Sequence, residues 1–285
     1  MKQLLILSGK GGTGKTTLAS SFIELSKAKA FADCDVEAPN LHLVTKSENK
    51  KSTPYYGMAK AYINQDACKK CGLCKKNCRF DAIEFDGKYT INPFKCEGCS
   101  VCELVCPENA IEMQNHIDGE TTIYRDNYIF STAELNMGSG NSGKLVMEVK
   151  ENLKKNLTNQ ELAIIDGSPG IGCPVIASLS GVDMVLVVTE PSVSGMSDMK
   201  RIIKTAEHFR VKIAVCINKY DTNHDQNQKI EKHVKDSNIE LVGRIPYDKN
   251  INKLLNQGLL AISEESPTAD SIKKIYLRTI DILNS

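Results

Sequence analysis

Eight of this chain's eleven cysteines crowd between residues 68 and 106, in two runs of identical spacing. Cys68, Cys71, Cys74 and Cys78 form the first. Cys96, Cys99, Cys102 and Cys106, followed by Pro107, form the second, and both read C-x2-C-x2-C-x3-C. The tails echo one another too, "CRFDAIEF" against "CPENAIEM", which makes an internal repeat with a period of 28 residues. Three thiolates this close in sequence can wrap three corners of an iron–sulfur cubane. Paired structural zinc sites are the competing chemistry, but a four-ligand zinc has no use for a third cysteine at this spacing.

The spacing resembles that of the bacterial two-cluster ferredoxins, in which the fourth cysteine of each run ligates the other cluster. On that resemblance Cys68, Cys71, Cys74 and Cys106 hold one [4Fe-4S] cluster, and Cys96, Cys99, Cys102 and Cys78 hold another. Arg79 departs from the pattern by standing where the first run would have proline. It adds a backbone N–H and a positive charge near Cys78, which would raise the potential of the second cluster unless the turn simply tolerates it.

A second chemistry sits at the front of the chain. "GKGGTGKT", residues 9 to 16, satisfies G-x-x-x-x-G-K-[ST] between an apolar run (Leu4 to Leu7) and a helix-like stretch, "TTLASSFIELSKA". Backbone N–H groups of Gly11, Gly12, Thr13 and Gly14 are expected to face phosphate oxygens at a helix N-terminus, with Thr16 and Thr17 just beyond. Lys15 should reach the β and γ phosphates and the Thr16 hydroxyl should sit on Mg2+. "GSGNSGKL", 138 to 145, imitates the motif but has Leu145 in place of the metal-holding hydroxyl, and no strand leads directly into it. It reads as a loop capping the helix "KLVMEVKENLKKNL".

Lys10, directly after the first glycine, makes "GKGGTGKTT" resemble the deviant phosphate loop of the MinD/ParA/Mrp/nitrogenase iron protein superfamily. The resemblance covers most of the chain, and its nearest branch is that with an inserted ferredoxin domain. It implies that Lys10 reaches the nucleotide of a facing subunit. "DCDVEAPN" (33 to 40) is similar to the first switch and places Asp35 where the water-orienting residue sits. "LAIIDGSPGIG" (162 to 172) is similar to the Walker B strand and second switch, with Asp166 holding Mg2+ through water and Gly167 and Gly170 permitting movement. "INKYD" (217 to 221) places Asn218 and Lys219 at the base, Asn218 where the family contacts adenine. The same "NKYD" matches the guanine-reading motif of GTPases, so GTP stands beside ATP. Cys173, in the second switch, is a candidate thiol for a cluster bridging two subunits, with Cys34 a candidate contributor; ordinary packing is the alternative for both. Cys216 alternates within a strand as a small hydrophobe.

These groups need elements to place them. At 285 residues and 41% hydrophobic, the chain can form one α/β domain and a small addition. Apolar strands are expected near 4–7, 162–166, 184–189 and 212–217, with strands also through 117–135. The expected fold is a doubly wound, mostly parallel sheet interrupted by a small α+β ferredoxin domain: 1–58, then 59–116 inserted, then 117–285. With 36 basic and 35 acidic residues, no global field draws the chain to nucleic acid or membrane, and neither is an expected partner. "QLLILSGK" reads as a buried strand rather than a signal peptide, and no apolar run reaches a membrane span, so the expectation is cytoplasmic. The C-terminal apolar stripe (272, 275, 276, 280, 283) suits a helix packed on the sheet better than a membrane-seeking one.

The functional expectation is an ATPase with two [4Fe-4S] clusters and Mg2+. Nucleotide would close a homodimer, or a heterodimer with a paralogue. Its output would be electron transfer to, or cluster assembly on, a redox or cluster-accepting protein. A spatial organiser with a redox-sensing module is the alternative.

Overall fold

The computed structural model describes residues 1–45 and 49–285, with Val44 as backbone only. The chain runs β1 (Lys2–Ser8), α1 (Lys15–Ser26), β2 (Ala30–Asp33), β3 (Lys50–Tyr56), β4 (Lys60–Ile63), α2 (Leu73–Asn77), β5 (Ile83–Phe85), β6 (Tyr89–Ile91), α3 (Val101–Leu104) and β7 (Ile111–Gln114). It continues through β8 (Ile117–Arg125), β9 (Ile129–Leu135), α4 (Ser142–Asn156), β10 (Leu162–Asp166), α5 (Cys173–Leu179), β11 (Met184–Thr189), α6 (Val193–His208) and β12 (Lys212–Asn218). It ends with α7 (His224–Asp236), β13 (Glu240–Ile245), α8 (Asn250–Asn256) and α9 (Pro267–Asn284).

Nine strands make one sheet in the order β13-β12-β11-β1-β10-β2-β9-β8-β3. Neighbours from β13 to β9 pair in parallel, and β8 runs against both β9 and β3. Parallel strands are covered on both faces, so they read as unbroken apolar runs. "LLIL", "AII" and "MVLVV" are of this kind, with their residues buried in two cores on opposite sides of the sheet. The four apolar strands expected from sequence are β1, β10, β11 and β12, and the stretch 117–135 is β8 and β9. β3 escaped that reading because its side chains, Tyr55 apart, are exposed and it contains Pro54, which an edge strand tolerates. The C-terminal stripe packs inward: Ile272, Ile275 and Leu283 of α9 are buried against the sheet. Among the described residues no helix is long and apolar enough to cross a membrane.

β3 and β8 bracket a small unit with its own two ladders, β4 with β7 and β5 with β6. The 28-residue repeat is visible in its backbone. Positive φ recurs at Lys70 and Gly98, at Gly72 and Ser100, and at Asp81 and Asn109. The halves complete each other: Asn64 N–H donates to Ala110 O (2.8 Å), and Asn92 N–H donates to Ala82 O (2.7 Å). Its core is slight, chiefly Ala61, Ile63, Ala82, Ile83 and Ile111 with Cys74 and Cys96.

Candidate functional site

The phosphate loop leaves the carboxyl end of β1 in the middle of the sheet, where open α/β sheets bind ligands. Gly12 (φ 75°) and Gly14 (φ 96°) take left-handed conformations, and Gly14 caps α1. Lys15 follows at the helix start, almost wholly buried. Its Nζ donates to Asp166 Oδ1 at 2.7 Å and lies 3.7 Å from Asp35 Oδ2. The Thr16 hydroxyl donates to Asp166 Oδ2 at 2.6 Å. Burial opposes the Lys15 ammonium, but Asp166, Asp33 and Asp35 outweigh it and hold its pKa above the ordinary lysine value. The sequence-expected Lys15, Thr16, Asp35 and Asp166 therefore meet at one point.

Asp33 joins them, although sequence reasoning gave it no role. Its carboxylate is fully buried and accepts the N–H groups of Asp35 (3.0 Å), Asn40 (3.0 Å) and Leu41 (2.9 Å), which folds the first switch back on the strand end. Burial, then the nearby Asp166, push its pKa up to about 7 against the opposing pull of Lys15. Asp35 is raised by burial as well, with Lys15 opposing. The first acid of "DCD" was the sequence signal, and Asp33 and Asp166 sit in register on adjacent strands.

Lys10 lies over the edge of the loop, 41% exposed, with Nζ 2.6 Å from Glu190 Oε1 and 3.4 Å from Ser194 Oγ. Glu190, just past β11, was also missed. Burial works against its ionisation, yet Lys10 and Lys219 hold its pKa below the usual range. Lys219 Nζ also donates to Gly12 O at 3.1 Å, and Asn218 Nδ2 donates to Thr13 O at 2.8 Å. Both residues thus brace the loop from behind. Asp221 Oδ1 accepts from Tyr247 N–H at 2.8 Å, so the fourth residue of "NKYD" serves as a strut for the loop after β13.

A cavity of about 750 Å³ joins the phosphate loop, Thr17 and Asp35 to apolar walls of Pro246, Ile251 and Leu255. Charged groups at one end and apolar walls at the other suit a nucleotide. The residues fit Mg2+ and phosphate: a hydroxyl, a buried carboxylate and a buried ammonium converge beside backbone donors.

The second switch departs from expectation at Gly167. A side chain there would overlap Leu7, so this glycine serves close packing, and its N–H is fixed to Ile6 O (2.9 Å). Gly170 (φ 97°) has open space around it, and its N–H donates to Ser8 O (3.0 Å). Cys34 and Cys173 are not brought together. Cys34 is sealed in the core, its thiol pushed up to about 12 by burial, whereas Cys173 is exposed at the start of α5. Cys216 is buried within β12.

β9 ends at Leu135, with Asn136 and Met137 before Gly138, so no strand runs directly into the imitation loop, and Asn141 within it is the N-cap residue of α4. Side chains fill its surroundings. Gly138 faces the Phe94 ring, Gly143 faces Cys173, and Lys144 Nζ donates to Tyr56 O (3.0 Å) and Gly57 O (3.2 Å). Segment 136–144 therefore touches the second switch on one side and the root of the cysteine unit on the other.

None of the eleven cysteines is paired in a disulfide. Burial pushes Cys74 up, with Cys68 and Cys71 acting the same way. It pushes Cys102 up to about 11, with Cys96 and Cys99 beside it. The Lys69–Glu108 ion pair (2.9 Å) ties the chain beyond Cys106 to the first run. Cys78 lines one small cavity, about 20 Å³, with Cys96, Cys99 and Cys102. Among the described residues no three His, Cys, Asp or Glu side chains converge closely enough to hold a single ion. Thiolates on one zinc stand only about 3.8 Å apart, given Zn–S bonds of about 2.3 Å; those of a cubane bind separate irons and stand farther apart.

Comparison with known proteins agrees with the nucleotide lobe. The family described as "CobQ/CobB/MinD/ParA nucleotide binding domain" matches residues 4–261. An uncharacterised protein of Methanocaldococcus jannaschii is 36% identical over 278 residues, covering 96% of this chain and 95% of that one. The cell division ATPase MinD of Pyrococcus furiosus shares the fold with a TM-score of 0.59 at 19% identity, covering 99% of both chains. MinD of Pyrococcus horikoshii, solved with Mg-ADP, does so with a TM-score of 0.57 at 18% identity, covering 98% of this chain and 95% of that one. A match across nine-tenths of the length, taking in Lys15 and Asp166, makes this chain a member of the CobQ/CobB/MinD/ParA family of nucleotide-binding domains.

Proposed function

We propose that the chain is an Mg2+-dependent ATPase whose nucleotide state controls two [4Fe-4S] clusters in an inserted unit, residues 59–116. The observation that carries the reading is the cavity that Cys78 of the first run shares with Cys96, Cys99 and Cys102 of the second. An exchanged fourth ligand is what the two-cluster arrangement requires, and Cys68, Cys71, Cys74 and Cys106 would form the complementary set. Bound clusters would supply one-electron chemistry. Eight cysteines for two clusters leave no open corner, which favours electron transfer over cluster donation. The cavity is small, so loading entails outward movement of thiol-bearing loops.

In the nucleotide lobe, Asp166 fixes the Lys15 ammonium and Thr16 hydroxyl at the start of α1, where they would meet β and γ phosphates and Mg2+. Asp35, held by the Asp33 carboxylate, is the group placed to orient a water. Lys10, free of Glu190, would reach the nucleotide of a second copy. ATP is favoured over GTP because Asp221 is engaged by Tyr247 N–H. Segment 136–144 provides a contact path from the second switch to the unit.

The test is anaerobic. Iron and acid-labile sulfide are measured first, then the EPR spectrum of the reduced protein with and without MgATP. About eight irons per chain and a nucleotide-dependent spectrum are expected. Absence of sulfide from protected or reconstituted protein refutes the cluster reading, and a spectrum indifferent to nucleotide refutes the coupling. Asp35→Asn should lower ATP turnover about 10²- to 10³-fold while leaving nucleotide affinity within about threefold.

A further inference from the structure

The two halves of the cysteine unit share a backbone but not a charge. Residues 67–80 carry Lys69, Lys70, Lys75, Lys76 and Arg79 and no acid, whereas the equivalent stretch, 95–108, carries Lys95 against Glu97, Glu103 and Glu108. Position by position, Lys69 is matched by Glu97, Lys75 by Glu103, Lys76 by Leu104 and Arg79 by Pro107. Cations at the end of α2 would complement a helix dipole, but α3, at the equivalent place in the repeat, ends in Glu103 and Leu104, so the repeat does not demand them.

All five cations are exposed. Lys69 pairs with Glu108. Lys70, Lys75, Lys76 and Arg79 make no ion pair among the described residues. Cys71, Leu73 and Phe80 in the same stretch are also exposed. Four cations without an ion pair thus share a short stretch with exposed apolar side chains, on a chain whose overall charge is only +1. A charged rim around a small apolar centre is the anatomy of a protein interface, and charge of one sign steers the partner of the other.

We infer that the face made by Lys70, Lys75, Lys76 and Arg79 around Cys71 docks the acidic face of a partner protein. The surface is too small for the long basic track of a nucleic-acid groove. The five-residue α2 is too short to lie in a membrane interface. The inference rests on the proposed cluster function only for what passes between the proteins, not for the docking.

The test uses the full anaerobically purified chain and immobilised poly-L-glutamate as probe. A single-stranded oligonucleotide of equal charge and phosphatidylserine vesicles run alongside. Wild type should bind polyglutamate with an affinity that falls steeply with salt. The Lys70→Glu/Lys75→Glu/Lys76→Glu variant should lose at least about tenfold. The same charge change on exposed α7, Lys229→Glu/Lys232→Glu/Lys235→Glu, should cost less than about threefold. Should the first variant fail to fold, Lys75→Gln alone should still cost about threefold. Equal losses for the two triple variants, or tighter binding of oligonucleotide or vesicles through this face, overturn the inference. Labile sulfide is measured on the same samples: its absence with polyglutamate binding intact refutes the cluster function and leaves the docking face standing.

Discussion

The nucleotide lobe and the cysteine unit are stabilised in different ways. The lobe buries both faces of a nine-stranded sheet, and its site gathers residues from β1, β2, β10, β11 and β12 that are far apart in sequence. The unit gathers its thiols locally, by a repeat, around a core of a few small side chains. A stretch of under sixty residues with so little apolar burial is marginal without a metal or another staple. On the proposed cluster reading, the lobe would keep its order without ligand, whereas the unit's order would depend on what its cysteines hold.

On the proposed cluster reading, the largest effect should come from stripping iron and sulfide. Hydrogen exchange in residues 60–114 should rise toward that of an unfolded segment, while β1, β10 and β11 keep their protection; equal loosening in both regions would break the contrast. Next comes Lys15→Ala, which leaves the buried Asp166 and Asp33 without their cation. A loss of about 3 kcal/mol in the lobe's stability, read from denaturant unfolding, is expected alongside lost nucleotide binding.

A pH series sharpens the comparison, since its source lies only in the lobe. The Asp33 carboxyl is raised to about 7, so between its unfolded value near 4 and about pH 7 the folded state holds a proton the unfolded chain releases. That contribution is full at low pH and is lost as pH rises through about 7. Stability should fall by up to about 1.4 kcal/mol per pH unit across that window, and Asp33→Asn should flatten the slope. The smallest effect is expected from Glu190→Gln, which releases a partly exposed lysine. Stability should change by less than about 1 kcal/mol, while nucleotide-dependent dimerisation, followed by light scattering, should rise a few-fold as Lys10 is freed.

Local chemistry was legible in advance. The phosphate loop announces itself because its residues lie together in sequence and its glycines meet backbone demands on the spot, and the cysteine runs are legible as a repeat whose backbone recurs. Asp33 was not legible as a site residue, since its role comes from N–H groups of residues 35, 40 and 41 that fold back on it. Glu190 matters only because β11 lies beside β1, and Asp221 meets the Tyr247 N–H only because the loop after β13 folds back beside β12.

The sequence by itself determined the four apolar strands β1, β10, β11 and β12, the phosphate loop and the internal repeat, because each follows from residue type at short range. Tertiary structure alone decided which carboxylates share Lys15 and that Lys10 rests on Glu190. It alone showed that Cys78 lines a cavity with the second run, that Cys34 and Cys173 are apart, and that segment 136–144 touches both regions. Those outcomes depend on which strand ends lie side by side, and adjacency in a sheet is set by the packing of the whole chain.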